Sequence, residues 1–265
     1  MKVTKIDITI MLIVPIVAYI VVVSLKKDLL LLSSLLFFGL PALYISLRNV
    51  GLVWKSFLFA LLFSIPMSIF VDTLSALNGS YVIPKTIFPF KILGISTLEL
   101  YIFSFLWVFF SVLFYEHFFD HGKKGDRISK HIKGFLYFVG ILCSTVVFLF
   151  YTNKAWLYIP YFYLILGILF LLLPLAGFLL YYPKFIPRFV VISLYFFYFL
   201  MIYEMAALKT HEWFFVGEYV GYVTISGYSF PLEELLIWMI VATPALLAYY
   251  EYFADDRKLG AGRNK

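Results

Sequence analysis

Five carboxyl residues lie where an apolar chain has little use for charge. Glu233 and Glu234 stand side by side in "SFPLEELLIW", at the head of a long apolar run. Glu99 opens a second such run, and Asp72 and Glu204 lie near the ends of two more. Ionisable groups inside or beside membrane-like segments are costly and mark functional sites by default. Helix capping explains part of the pattern. Pro231 suits a first helical turn, and acids there complement the helix dipole. Two acids exceed that need, because Ser or Asn would cap the helix without charge. The alternative is proton chemistry. An apolar site favours the neutral form of a carboxyl group, and a second acid nearby strengthens the effect. The neutral group can give up a proton and an ionised neighbour can take one. In a dry site walled by aromatic rings, such a pair suits protonation of an alkene. The ring faces attract the resulting carbocation without trapping it. Tyr81, Tyr101, Trp213, Tyr228 and Trp238 are close enough in sequence to form those walls. The same residue types also serve as interfacial belts and packing.

The elements that must position these groups are membrane helices. The chain has 265 residues, 63% apolar and 14% charged, against about 25% charged in soluble domains. The fold class is therefore all-α, a polytopic integral membrane protein of seven or eight spans. Runs of about 20 apolar residues occur at 7–25, 29–47, 54–71, 95–118, 135–152, 157–180, 187–204 and 231–252. The first run is too long for a signal peptide and no small-residue cleavage site follows it. With eight spans, 15 of the 21 Lys and Arg fall on the side that holds both termini. That side is expected to be cytoplasmic, in a multi-pass protein of the cell membrane. The loop "HGKKGDRISKHIK" and the tail "DDRKLGAGRNK" account for the net charge of +6. They are ordinary membrane flanks, so nucleic acid is not an expected partner. The single cysteine, Cys143, excludes an internal disulfide.

The chain also matches itself. "LFFGLPALYISL" (36–47) pairs with "LFLLLPLAGFLL" (169–180), setting Pro41 against Pro174. "FVDTLSALNGSY" (70–81) pairs with "IYEMAALKTHEW" (202–213), setting Asp72 against Glu204 and Tyr81 against Trp213. "STLELYIFSFLWVFFSVLFYEHFFDHGK" (96–123) pairs without gaps with "PLEELLIWMIVATPALLAYYEYFADDRK" (231–258). There Glu99 meets Glu234, Glu116 meets Glu251, and Asp120 meets Asp255. Matched acids inside apolar runs point to duplication. The expected halves are 1–133 and 134–265, with about four helices each. An even number makes them parallel repeats about an axis along the membrane normal. Asp72, Glu204, Glu99, Glu233 and Glu234 then share one membrane face, while Glu116, Asp120, Glu251 and Asp255 share the other.

Other motifs carry less. "EHFFDH" (116–121) has metal-ligand spacing, but its second copy "EYFADD" has no histidine. A solvated helix end is the better expectation, with its acids paired to basic loop residues. "NGS" (78–80) is a short glycosylation sequon in an expected outer loop. No long apolar run has a central lysine for a retinal Schiff base. No phosphate loop, Rossmann fingerprint, GxSxG or HExxH is present, so neither a cofactor nor a metal is expected.

Two parallel polytopic repeats, an acid before an aromatic in the outer loop, and "PLEE" opening the last helix resemble the archaeal and heterodimeric-type lycopene beta-cyclases. Here the halves would be fused. The resemblance implies a redox-neutral cyclase acting on lycopene drawn from the bilayer. A carboxylic acid protonates a ψ-end double bond, the ring closes through a tertiary cation, and a base removes a proton to leave a β-ionone ring. It implies no flavin. Glu233 and Glu234 carry the family motif, one of them as the acid. Glu204 or Asp72 is the base or a tuning partner. The first half has Ser96 and Leu98 where the second has Pro231 and Glu233. One composite site therefore fits better than two equivalent ones. A carotenoid end-group hydratase, a membrane transporter and a non-enzymatic membrane subunit are the alternative expectations.

Overall fold

The computed structural model describes residues 3–25, 30–120 and 128–254. His121, Asp255, half of the basic loop and the tail lie outside the described residues. Among those described, seven helices are long and apolar enough to cross a membrane. They are α1 (Lys5–Leu25), α2 (Leu30–Arg48), α3 (Val50–Leu77), α4 (Leu98–Asp120), α5 (Ile132–Thr152), α6 (Phe162–Tyr181) and α7 (Pro183–Lys209). Helices α3 and α7 run longer than the sequence pattern suggests. Asp72 and Glu204 therefore lie within their last turns.

The eighth expected span, α8 over 232–254, is irregular. It is π-helical at Glu234–Trp238, turns at 239–241, is α-helical at Ala242–Tyr249 and π-helical again at Tyr250–Ala254. The Met239 amide reaches back five residues to the Glu234 carbonyl, at 2.9 Å. Pro244 has no N–H for the Ile240 carbonyl. Ser193 Oγ on α7 donates to that oxygen instead, at 2.6 Å. Ser193→Ala is expected to cost about 1–3 kcal/mol, because the carbonyl is then left unsatisfied. A lowered unfolding temperature in detergent checks it.

Prolines shape α2 and α6 in the same way. A π turn precedes the proline in each: Leu35–Gly39 in α2 ends two positions before Pro41, and Ile168–Leu172 in α6 ends two positions before Pro174. The widened turn accommodates a ring that would clash with a regular helix.

Two short hairpins join the helices, an addition to the all-α expectation. Strands β1 (Lys91–Ile92) and β2 (Ser96–Thr97) precede α4; β3 (Tyr222–Ile225) and β4 (Tyr228–Pro231) precede α8. Ser226 and Gly227 both have positive φ, as a two-residue type I′ turn requires. The connecting loops are knitted together. Val82 and Phe214 exchange both backbone hydrogen bonds, at 2.9 and 3.0 Å. Tyr219 donates to the Ser80 carbonyl. Gly217 passes so close that a Cβ would sit 3.0 Å from Gly79 O and Ser80 Cα. Asn78 of the sequon donates to Leu157 O at 2.9 Å and accepts from Ile159 N at 2.6 Å. Its amide is a structural tie between loops.

The core is aromatic. Phe37, Phe38, Phe110, Phe196 and Phe199 are fully buried between α2, α4 and α7, with Phe38 and Tyr203 centroids 5.0 Å apart. Edge-to-face packing of this kind explains much of the phenylalanine content.

The end of α4 corrects one expectation. Glu116, His117 and Asp120 are buried rather than solvated. Helices α1, α3 and α8 close over them. Lys55 Nζ of α3 lies 3.6 Å from Glu116. His117 Nε2 lies 3.7 Å from Asp7 of α1, which also accepts from Tyr44 at 2.6 Å and Arg48 at 3.0 Å. Tyr115 donates to Glu251, and Tyr250 donates to Glu116. Both glutamates are thus held by a tyrosine from the other half of the chain.

Candidate functional site

Three of the five sequence-selected acids meet in one cavity of about 190 Å³. Asp72 comes from α3, Glu204 from α7 and Glu234 from the π turn of α8. Each accepts a hydrogen bond from an aromatic residue. Tyr81 Oη donates to Asp72 at 2.9 Å, Trp213 Nε1 to Glu204 at 2.9 Å, and Tyr163 Oη to Glu234. Ser104 adds a long contact to Asp72, at 3.5 Å. Glu204 and Glu234 line the same cavity, so both carboxyls share one largely apolar setting. Burial, and then the Asp72 carboxyl beside it, push the Tyr81 phenol well above its ordinary value. Tyr81 therefore stays a neutral donor.

The walls are rings and aliphatic side chains. Trp238 stacks on Tyr163 with centroids 4.8 Å apart. Phe103 stacks on Tyr203 at 5.6 Å, and Tyr203 meets Trp213 edge-on at 5.4 Å. The loops that carry Tyr81, Trp213 and Phe215 close the acid-lined end. The cavity continues along α3, past Ser68 and Ser64 to Phe63, and along α8 to Tyr249.

The other two acids lie outside the cavity and hold the loops. Glu99 Oε1 accepts from the amides of Ile87 and Phe88, at 2.5 and 3.0 Å. Glu233 Oε1 accepts from the amide of Val220, at 2.7 Å. By contact, Glu99 behaves like Glu233 rather than Glu234: each accepts from the backbone of the loop before its helix. Glu99 and Glu233 stand 134 positions apart and Glu116 and Glu251 stand 135 apart, with the π turn at Glu234–Trp238 between them. Leu100, the residue after Glu99, lines the cavity as Glu234 does after Glu233.

The sequence-selected aromatics divide as well. Tyr81, Trp213 and Trp238 line the cavity. Tyr101 is buried against Leu30 and Leu100 beside it, and Tyr228 packs on the β3–β4 hairpin with Phe230 and Met239. Sequence proximity missed Tyr163, Phe103, Tyr203 and Trp107, which line the cavity from α4, α6 and α7. Phe103 and Trp107 share one α4 face with Leu100 at helical spacing, a signal that was legible. Tyr163 carried none. Glu99→Gln and Glu233→Gln are expected to keep their loops closed, because an amide oxygen still accepts an N–H. Retained protease resistance of the 78–97 and 210–231 loops checks this. Comparison with protein-family models, curated proteins and solved structures finds no match to this chain.

Proposed function

We propose that this chain is a membrane-embedded lycopene beta-cyclase. The observation that carries the reading is the convergence of Asp72, Glu204 and Glu234, from both halves of the chain, on one aromatic-lined cavity. Acid–base work on a hydrocarbon needs few groups: a proton donor, an acceptor, and walls that tolerate a cation. Glu234 is the donor in this reading and Glu204 the acceptor, with Asp72 lining the same cavity. Protonation of the terminal double bond leaves a tertiary cation, the neighbouring double bond attacks it, and loss of a proton restores neutrality. The proton gained equals the proton lost, so no oxidant or reductant is consumed. Trp213, Tyr203 and Trp238 line the cavity, and aromatic rings attract a cation.

Matched contacts support an origin by duplication, in parallel halves 1–133 and 134–265. Asp72–Tyr81 mirrors Glu204–Trp213, Ile87–Glu99 mirrors Val220–Glu233, and Tyr115–Glu251 mirrors Tyr250–Glu116. Among the described residues only the second half adds a third acid to the cavity, so in this reading one reacting site serves each end of the substrate in turn. In this reading the protein is multi-pass in the cell membrane, with both termini cytoplasmic and the acid-lined end outward.

Expression in cells that accumulate lycopene tests the proposal. Cyclic carotenoids are the expected pigments. Hydroxylated acyclic products would mean that water quenches the cation, the mark of a hydratase. Unchanged lycopene, with the protein present in the membrane, would overturn both readings.

A further inference from the structure

Two apolar spaces meet at Tyr249. One side of this residue lines the deep end of the acid-bearing cavity, with Phe63, Phe170 and Leu246. The other lines a groove that opens outward between α6 and α8, beside Pro174, Gly177, Phe178, Tyr182 and Phe253. Tyr249 Oη donates to the carbonyl of Phe170 at 3.0 Å. That carbonyl is available because the residue four positions on is Pro174, which has no N–H to offer. The first half lacks this latch. The residue matching Tyr249 there is Phe114, which has no hydroxyl. The latch thus belongs to the half that carries Glu234. Glu234 and Tyr249 stand 15 positions apart along α8.

We infer that this groove is a second subsite of the cavity, which takes the far part of a linear polyisoprenoid hydrocarbon whose reacting end lies at Glu234. The inference rests on the cyclase reading for the identity of the hydrocarbon. Three features point to that occupant. One side chain, Tyr249, separates the groove from the cavity and lines both. Among the described residues its lining has rings and small residues and no charged group, which suits a flat, apolar chain. Gly177 leaves its backbone bare, with nothing within 4 Å of where a Cβ would stand. A molecule with two identical ends also needs a place for the end that is not reacting, and the acids are gathered at one end of the cavity. The Tyr249 ring must swing aside to admit the chain, and its hydroxyl re-closes on Phe170 O.

The test blocks the groove without touching the acids. Gly177→Leu puts a side chain into open space, and Leu is the better helix former, so the variant folds. Binding is read in detergent by quenching of tryptophan emission, since Trp107, Trp213 and Trp238 line the cavity. The probes are lycopene and a shortened apocarotenoid with the same ψ end. Gly177→Leu is expected to weaken lycopene binding about tenfold or more and to leave the short probe unchanged. Leu180→Ala, on a residue 85% exposed, serves as the control and is expected to bind both like the wild type. Equal binding of lycopene by Gly177→Leu and the wild type overturns the subsite. So does competition for the groove by brominated lipid acyl chains but not by lycopene. Tight, length-dependent binding without cyclic product in lycopene-accumulating cells would sink the cyclase reading and leave the groove standing.

Discussion

Glu234→Gln is expected to lower cyclic carotenoid formation by about 10²–10⁴-fold, the usual contribution of a positioned general acid. The amide matches the carboxyl in shape and still accepts from Tyr163, so the π turn of α8 keeps its geometry. What it lacks is a proton to give. Pigment extraction from lycopene-accumulating cells measures the loss, with membrane-bound protein quantified alongside. The adjacent substitution is the internal control. Glu233→Gln is expected to retain most of the activity, because Glu233 serves the Val220 amide and lies outside the cavity. A Glu233→Gln variant as inactive as Glu234→Gln would remove the assignment of the acid to Glu234. Full activity in Glu234→Gln would return the motif to helix capping.

The second large effect is on stability. Lys55→Met is expected to cost about 3–5 kcal/mol, the range for removing one partner of a buried ion pair. Lys55 and Glu116 are both buried, with Nζ and Oε1 3.6 Å apart. Loss of the cation leaves the carboxylate in an apolar setting, with Tyr250 as its donor. The double variant Lys55→Met/Glu116→Gln is expected to recover much of the loss, because a neutral amide still accepts from Tyr250. Thermal unfolding in detergent measures both. Equal unfolding temperatures for the single and double variants would show that Lys55 acts through packing alone. The pair lies at the far end of α4 from the cavity, so catalysis per folded molecule is expected to stay unchanged in both variants.

These contrasts follow from what the folded chain did with an uneven set of acids. The matched pairs Asp72/Tyr81 and Glu204/Trp213 were visible as an acid and an aromatic nine residues apart in each half. Nine residues span the last turns of a helix and the loop that folds back over its end, so the contact is nearly local. Glu116 and Glu251 were visible as a recurrence, but not their tyrosines, which come from opposite halves. Expecting them to be solvated followed from helix-end position alone. Three other elements close over that end, and no local pattern encodes this.

Composition and spacing alone determined that the chain is a bundle of membrane-length helices. They determined that acids recur near the ends of those helices, and that one half carries an extra one. Packing decided which acid faces inward. Successive residues on a helix point about 100° apart, so of two adjacent glutamates only one can face a given cavity. Nothing in "PLEE" says which. The π turn at Glu234–Trp238 and the ring of Tyr163 on α6 turn Glu234 into the cavity, while the returning loop takes Glu233. Those partners lie 71 and 13 residues away. The choice between two like side chains is made by contacts that exist only after the helices have packed.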